Sequence, residues 1–221
     1  MDFGKLGKGT GRIKEVPTML KKNLISLPID KEKWVKDSFG SFSSLVQDER
    51  HEPPIWGLSV CDQQKSGGLS GVKYPSGISV GLEGGPGRCV FRKAEREIRP
   101  LESWKWNSES GFQLYLVSPL RCFHLGFDEG LAKAAIYPAY LNATEELQFP
   151  IVGSEHFIYM VSGTAIWLDR ESDESRLLKS GDLLHVSRID RKREYLNLKL
   201  KGDGARSIAL WAVLHYLADH K

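Results

Sequence analysis

In EYLNLKLKGDGARSIALWAVL, residues 194–214, leucines at 196, 198 and 200 alternate with Asn197, Lys199 and Lys201 before a Gly-Asp-Gly turn leads into a second apolar run. A period of two puts alternate side chains on opposite faces of an extended strand and spreads them uselessly around a helix. The reading is a hairpin, with KGDG as its turn. The same grammar recurs from residue 89 onward. CVFRKAERE, SGFQLYLVSP, AKAAIYPAYLN, EHFIYMVSGTAIWLD, SRLLKSGDLLHVS and RSIALWAVLHY are short, rich in β-branched and aromatic residues, and separated by turn formers. Seven or eight such strands in about 130 residues predict a barrel or jelly roll over residues 89–221, since single strands bury too little alone.

The rest of the chain reads differently. DKEKWVKDSFGSFSSLVQDER has Trp34, Val35 and Phe39 near helical spacing, Asp30 placed to cap a first turn, and Gly40 placed to end the helix. Residues 1–60 are therefore expected to be a smaller helical segment. Residues 61–88, with QQKSGGLSGVKYPSG and LEGGPGR, read as a linker or a set of loops. Neither GKGTG nor GLEGGPG has the spacing of a phosphate-binding loop, and HEPP lacks the second histidine of a zinc-protease motif.

Composition sets limits. With 41% apolar residues in 221, a sizeable core is available. Three cysteines without a Cys-x-x-Cys argue against a disulfide framework or zinc knuckle, for a cytoplasmic location, and for Cys61, Cys89 and Cys122 as small buried hydrophobes. No secretory leader is visible in MDFGKLGKGTGR, and SIALWAVLHYLA is too short to span a bilayer, so no membrane partner is expected. The net charge of +3 and the six Lys or Arg among residues 1–22 are compatible with an anionic partner, including DNA.

EHFIYMVSGTAIWLD, LLKSGDLLHV and REYLNL resemble, in order and spacing, the two motifs of the cupin family. The resemblance implies a double-stranded β-helix, the cupin jelly-roll barrel, and it locates that family's metal ligands. Counting from Gly163 and Gly181, those positions fall on Phe149, Ile151 (or Val152), His156, and Lys192 or Arg193. Hydrocarbon and protonated side chains cannot donate lone pairs to an ion, so no Fe, Mn or Zn is expected there. Instead Lys192 or Arg193 would attract a small anionic metabolite, with His156 and His185 as donors and Tyr159, Trp167 and Tyr195 as walls. Glu155 and His156, adjacent on a strand, should point to opposite faces.

Residues 30–54 also resemble the helix-turn-helix of the Xre-type regulators that carry a C-terminal cupin, with Leu45, Glu49 and Arg50 near the matching places. Together these imply a homodimeric, ligand-sensing transcriptional regulator. The alternative is a cupin enzyme: a mononuclear-metal oxygenase, or a metal-free sugar epimerase or isomerase with His156 as base and Tyr159 as acid.

Overall fold

A computed structural model describes residues 20–26, 34–91, 94–150, 154–169, 174–188, 197–202 and 206–217. Among them there is no α-helix, only a single 3-10 turn at Ser108–Ser110. Four antiparallel sheets stack in sequence. The first large sheet runs in the order β2 (Val35–Lys36), β3 (Gly40–Gln47), β4 (Trp56–Gln63), β10 (Leu120–Phe127), β5 (Ser76–Gly84), β8 (Ser103–Asn107). A small sheet of β7 (Ala94–Ile98), β6 (Gly87–Phe91) and β9 (Gln113–Leu116) closes it into a first barrel. The second large sheet is β1 (Leu20–Ser26), β16 (Asp182–Arg188), β13 (Glu155–Ser162), β18 (Ser207–Tyr216), β11 (Ala132–Leu141). The sheet of β12 (Glu146–Pro150), β17 (Asn197–Gly202), β14 (Thr164–Asp169) and β15 (Glu174–Lys179) closes that one into a second barrel.

The two large sheets pack face to face. Trp56, Leu58, Phe123 and Leu125 of the first meet Phe157, Tyr159, Leu183 and Leu210 of the second in one buried cluster. Phe123 stacks on Tyr159 at 5.1 Å and Trp56 packs on Phe157 at 5.0 Å, ring centre to ring centre. Each large sheet is thus covered on both faces. On β13, Phe157 and Tyr159 enter the layer between barrels, while Ile158 and Met160 enter the second barrel's own core. Burial on both sides is why HFIYM shows no polar alternation.

The helical N-terminal segment is not what forms. Trp34 is buried, and residues 35–36 and 40–47 are strands of the first large sheet. The apparent helical spacing came from a hairpin whose turn is held by Asp37: its carboxylate accepts the backbone N–H groups of Phe39, Gly40 and Gly71 and the Ser70 hydroxyl, each at 2.9 Å. Gly40 does not end a helix; it begins β3, where a Cβ would stand 2.1 Å from the Asp62 carbonyl oxygen. Leu45 lies within β3, and Glu49 and Arg50 follow it in the loop to β4, so no recognition helix exists at those positions. Asp30 lies outside the described residues.

The Gly-rich stretch 61–88 holds the end of β4, all of β5 and the start of β6, with β5 paired on both sides, by β10 and β8. Glycines read there as loop formers lie partly inside strands, where large side chains need the room: a Cβ on Gly77 would come 2.3 Å from the Trp106 ring. SIALWAVLHY is the buried strand expected of it, but it is not the second arm of a hairpin with β17. The two strands belong to different sheets, and the chain crosses from one to the other between residues 202 and 207.

Two measurements check this architecture. Phe123→Ala should cost about 3–5 kcal/mol in a denaturant titration, since the ring is fully buried between barrels. Burial pushes the Asp37 carboxyl up, but its hydrogen bonds to Phe39, Gly71, Ser70 and Gly40 outweigh that and hold it below the usual value of 3.8. Its contribution is therefore complete above pH 3.8 and is lost as pH falls through the lower folded value. Asp37→Asn should flatten that acid limb of the stability curve, read by circular dichroism.

Candidate functional site

The residues singled out from sequence do not converge on one point. His156 is fully buried inside the second barrel, where Trp211 stacks on it and Trp211 Nε1 donates to its Nδ1 at 3.4 Å. Phe149 and Trp167 share that core, and the Trp167 indole N–H has no hydrogen-bond partner among the described residues. Tyr159 lies on the opposite face of β13, in the layer between barrels. Burial pushes its phenol up to about 12, with Arg121 pulling the other way. His156 and Tyr159 therefore cannot serve one substrate as base and acid. Lys192, Arg193 and Tyr195 lie outside the described residues, as do Ile151 and Val152.

His185 stands apart from these. It lies on β16, whose two neighbours place Asn23 on one side of it and Phe157 on the other. Phe157 stacks on its ring at 4.8 Å and Trp56 meets it edge-on at 5.7 Å. The strand geometry that separates Glu155 from His156 brings Glu155 to His185: Nε2 donates to Glu155 Oε2 at 2.8 Å. Glu155 is 1% exposed and collects further donors. Ser187 Oγ gives its hydrogen at 3.1 Å, the Tyr216 hydroxyl at 3.3 Å, and Arg50 Nη2 stands 3.0 Å from Oε1 while also donating to Ser187 Oγ. Trp56 Nε1 in turn donates to the Tyr216 oxygen at 2.9 Å. Burial and then the Glu155 charge push the Tyr216 phenol well above its ordinary value, so it stays a donor. Such a set of donors is what a carboxylate needs in order to stay charged away from water.

A cleft of about 90 Å³ opens over this group, between β1, the loop after β3, and β16. Lys21, Asn23, Arg50, Trp56, His185 and Ser187 are among its walls. Two groups here have unspent capacity. His185 Nδ1 is buried and meets no hydrogen-bond partner among the described residues. Arg50 is 41% exposed at its side chain, and its Nε and Nη1 meet no acceptor among the described residues. Arg50, aligned from sequence with a DNA-reading motif, is thus a wall of the cleft. Nothing in the local sequence marks Arg50 and Glu155 as neighbours; only the fold pairs them.

The first barrel holds a different cluster. On β10, Phe123 and Leu125 face the second barrel, so Cys122 and His124 point inward. Cys61 on β4 stands directly opposite Cys122. Cys61 Sγ lies 2.9 Å from His124 Nε2, His124 Nδ1 lies 2.5 Å from Ser79 Oγ, and Trp106 Nε1 donates to that same oxygen at 2.7 Å. Burial pushes the Cys61 thiol up, but Cys122 and the His124 ring outweigh it and bring it down to about 5. Burial and the neighbouring Cys61 push Cys122 the other way. Among the described residues, Cys61, Cys122 and His124 form a group able to hold a metal, their donor atoms all within 4.8 Å of one another. Reading the cysteines as packing hydrophobes missed this. The available signal was Cys122-x-His124, two donors on one face of a strand.

No family model matches the sequence, and no curated protein is similar to it. Solved structures are similar in fold. A conserved protein of unknown function, PA5104 from Pseudomonas aeruginosa PAO1, superposes with a TM-score of 0.74 at 18% identity, over 90% of this chain and all of that one. HutD from Pseudomonas fluorescens SBW25 gives 0.66 at 17%, with the same coverage. A cupin 2 conserved barrel domain protein from Leptotrichia buccalis gives 0.51 at 8%, over 90% of this chain and 98% of that one. The fold is a cupin fold. The second barrel is built from β1 and β11–β18, and the first, built from residues 34–127, stands beside it.

Glu155→Ala should cost about 3 kcal/mol in a denaturant titration, because it strands the His185, Ser187 and Arg50 donors together.

Proposed function

We propose that this chain is a small-molecule-binding cupin protein whose ligand occupies the cleft over Glu155 and His185. The observation that carries the reading is the unpartnered, buried Nδ1 of His185. Buried polar atoms in folded proteins are nearly always hydrogen-bonded, and those that are not commonly await a ligand or water. With Nε2–H given to Glu155, Nδ1 is the ring atom left to meet a hydroxyl or amine of the ligand. Arg50 offers two unspent N–H groups to a carboxylate. The ligand class is therefore a small hydroxy- or amino-carboxylate. The space equals roughly six to nine waters, at about 10–15 Å³ each. A small anionic metabolite thus remains the proposed partner, held by Arg50 rather than by Lys192 or Arg193. The regulator part of the expectation loses its support with the recognition helix.

The test is a thermal melt of the whole chain with L-malate, L-glutamate, acetate and acetamide. At a hundred times its dissociation constant a ligand adds about 2.7 kcal/mol, which raises the melting temperature by roughly 5–10 °C in a chain of this size. Malate or glutamate should do this, acetamide should not, and Arg50→Ala or His185→Ala should abolish it. A shift that survives both substitutions, or no shift with any of the acids, removes the proposal.

The Glu155–His185 pair supports a second reading, in which His185 Nδ1 takes a proton from the ligand as a metal-free base. Incubating the bound acid in heavy water decides between the two. Deuterium on the ligand's carbon supports catalysis, and unchanged ligand supports binding alone.

A further inference from the structure

We propose that Cys61, Cys122 and His124 form a metal site for a thiophilic ion of the zinc class inside the first barrel. It uses none of the residues of the Glu155–His185 cleft, so either reading can fail without the other.

Three features of the cluster point to this. The first is the donor set. Two thiolates and an imidazole suit a borderline-soft ion, and the charge of two thiolates cancels that of a divalent cation. A dry barrel interior makes that cancellation matter, because an unbalanced buried charge is costly. The second is the spacing. At metal–ligand lengths of about 2.3 Å to sulfur and 2.1 Å to nitrogen, a tetrahedral ion holds a sulfur and a nitrogen about 3.6 Å apart. The present Cys61 Sγ to His124 Nε2 separation is a hydrogen bond of 2.9 Å, so an opening of under an ångström converts one into the other. The cysteines are already opposed across a strand pair, and His124 follows Cys122 by two residues on one face.

The third feature is the support behind the imidazole. Ser79 Oγ takes the Trp106 indole hydrogen on one lone pair and has a second for His124 Nδ1–H. That tautomer leaves the Nε2 lone pair facing Cys61, which is the form a metal requires. A hydrogen-bond partner of this kind usually fixes the ring of a ligating histidine.

Binding exchanges two protons for one ion: the divalent cation enters, two metal–sulfur bonds and one metal–nitrogen bond form, and the two protons that the Cys61–Cys122–His124 cluster holds in excess of two thiolates and a neutral imidazole leave to solvent.

These ligands lie on β4 and β10. The cupin motif positions in the second barrel fall on or near β12, β13 and β17. The proposed site is therefore not the second barrel's motif positions carried into the first.

Cobalt(II) is the probe. The whole chain, purified without a metal-affinity step and kept reduced, is titrated with cobalt both as isolated and after refolding in its presence. One cobalt per chain with a thiolate-to-cobalt charge-transfer band is expected, and zinc should displace it. The band should vanish in Cys61→Ser and in Cys122→Ser, and remain in Cys89→Ser, whose thiol lies in β6 against the Arg96 carbonyl. Ser79→Ala should weaken binding about 10- to 100-fold while leaving the band's shape. If either serine variant does not fold, X-ray absorption on the cobalt-loaded native chain replaces it, with two sulfurs per cobalt expected. No band by either loading route, a band that survives both serine substitutions, or an all-oxygen-and-nitrogen cobalt shell would each overturn the proposal.

Discussion

Everything else in the molecule depends on the apolar layer between the two large sheets. Strands that bury both faces cannot carry a polar stripe, so every polar side chain on them is either a core residue or has a specific partner. Glu155, His185 and Ser187 lie at the margin of that layer, where Trp56 and Phe157 end and the cleft begins. Removed from water, they satisfy one another and draw in Arg50 and Tyr216. The same pleat sends Cys122 and His124 into the first barrel and Phe123 and Leu125 out of it. One alternation thus serves packing and chemistry at once.

The second barrel was legible in the sequence because its turns are sharp and its strands short. Gly163 and Gly181 both adopt positive φ where the chain passes between the barrel's two sheets, from β13 to β14 and from β15 to β16, at the places that the Ser-Gly and Ser-Gly-Asp signals mark. Of the first barrel only β6, β7 and β9, in CVFRKAERE and SGFQLYLVSP, were legible as strands. Its strands are diluted by Ser and Gly that face inward, such as Gly57, Ser59, Gly77 and Ser79, and that dilution reads as loop. Those small residues leave room for Tyr74 and Trp106, which are distant in sequence and invisible to any local pattern. In the segment around Trp34 and Phe39, two aromatic residues on either side of a hairpin turn imitate helical spacing. A window of six residues cannot distinguish the two.

Of the site, His185 and His156 were legible as donors but the direction of His185 was not, and the separation of Glu155 from His156 followed from the strand period alone. Their partners were not. Arg50 reaches Glu155 across 105 positions, and Cys61 reaches His124 across 63. Pairings of that range are set by which sheets stack, and sheet stacking leaves no mark on a short stretch of chain. The four ligand positions of the second barrel show the complementary case. There a resemblance supplied the expected places, and His156 proves to be a partner of Trp211.

β1 precedes every strand of the first barrel, yet it pairs along its whole length with β16, and Ser26 reaches Asp182 across 156 positions. The opening residues leave the ribosome long before their partner strand exists. Until residue 188 has emerged, β16 cannot close its outer edge, and the wall of the cleft that Lys21 and Asn23 supply is missing. The two barrels are therefore not beads on a string. A protein cut between them would forfeit a strand from one half, and the cleft takes shape only once residues 182–188 have joined residues 20–26.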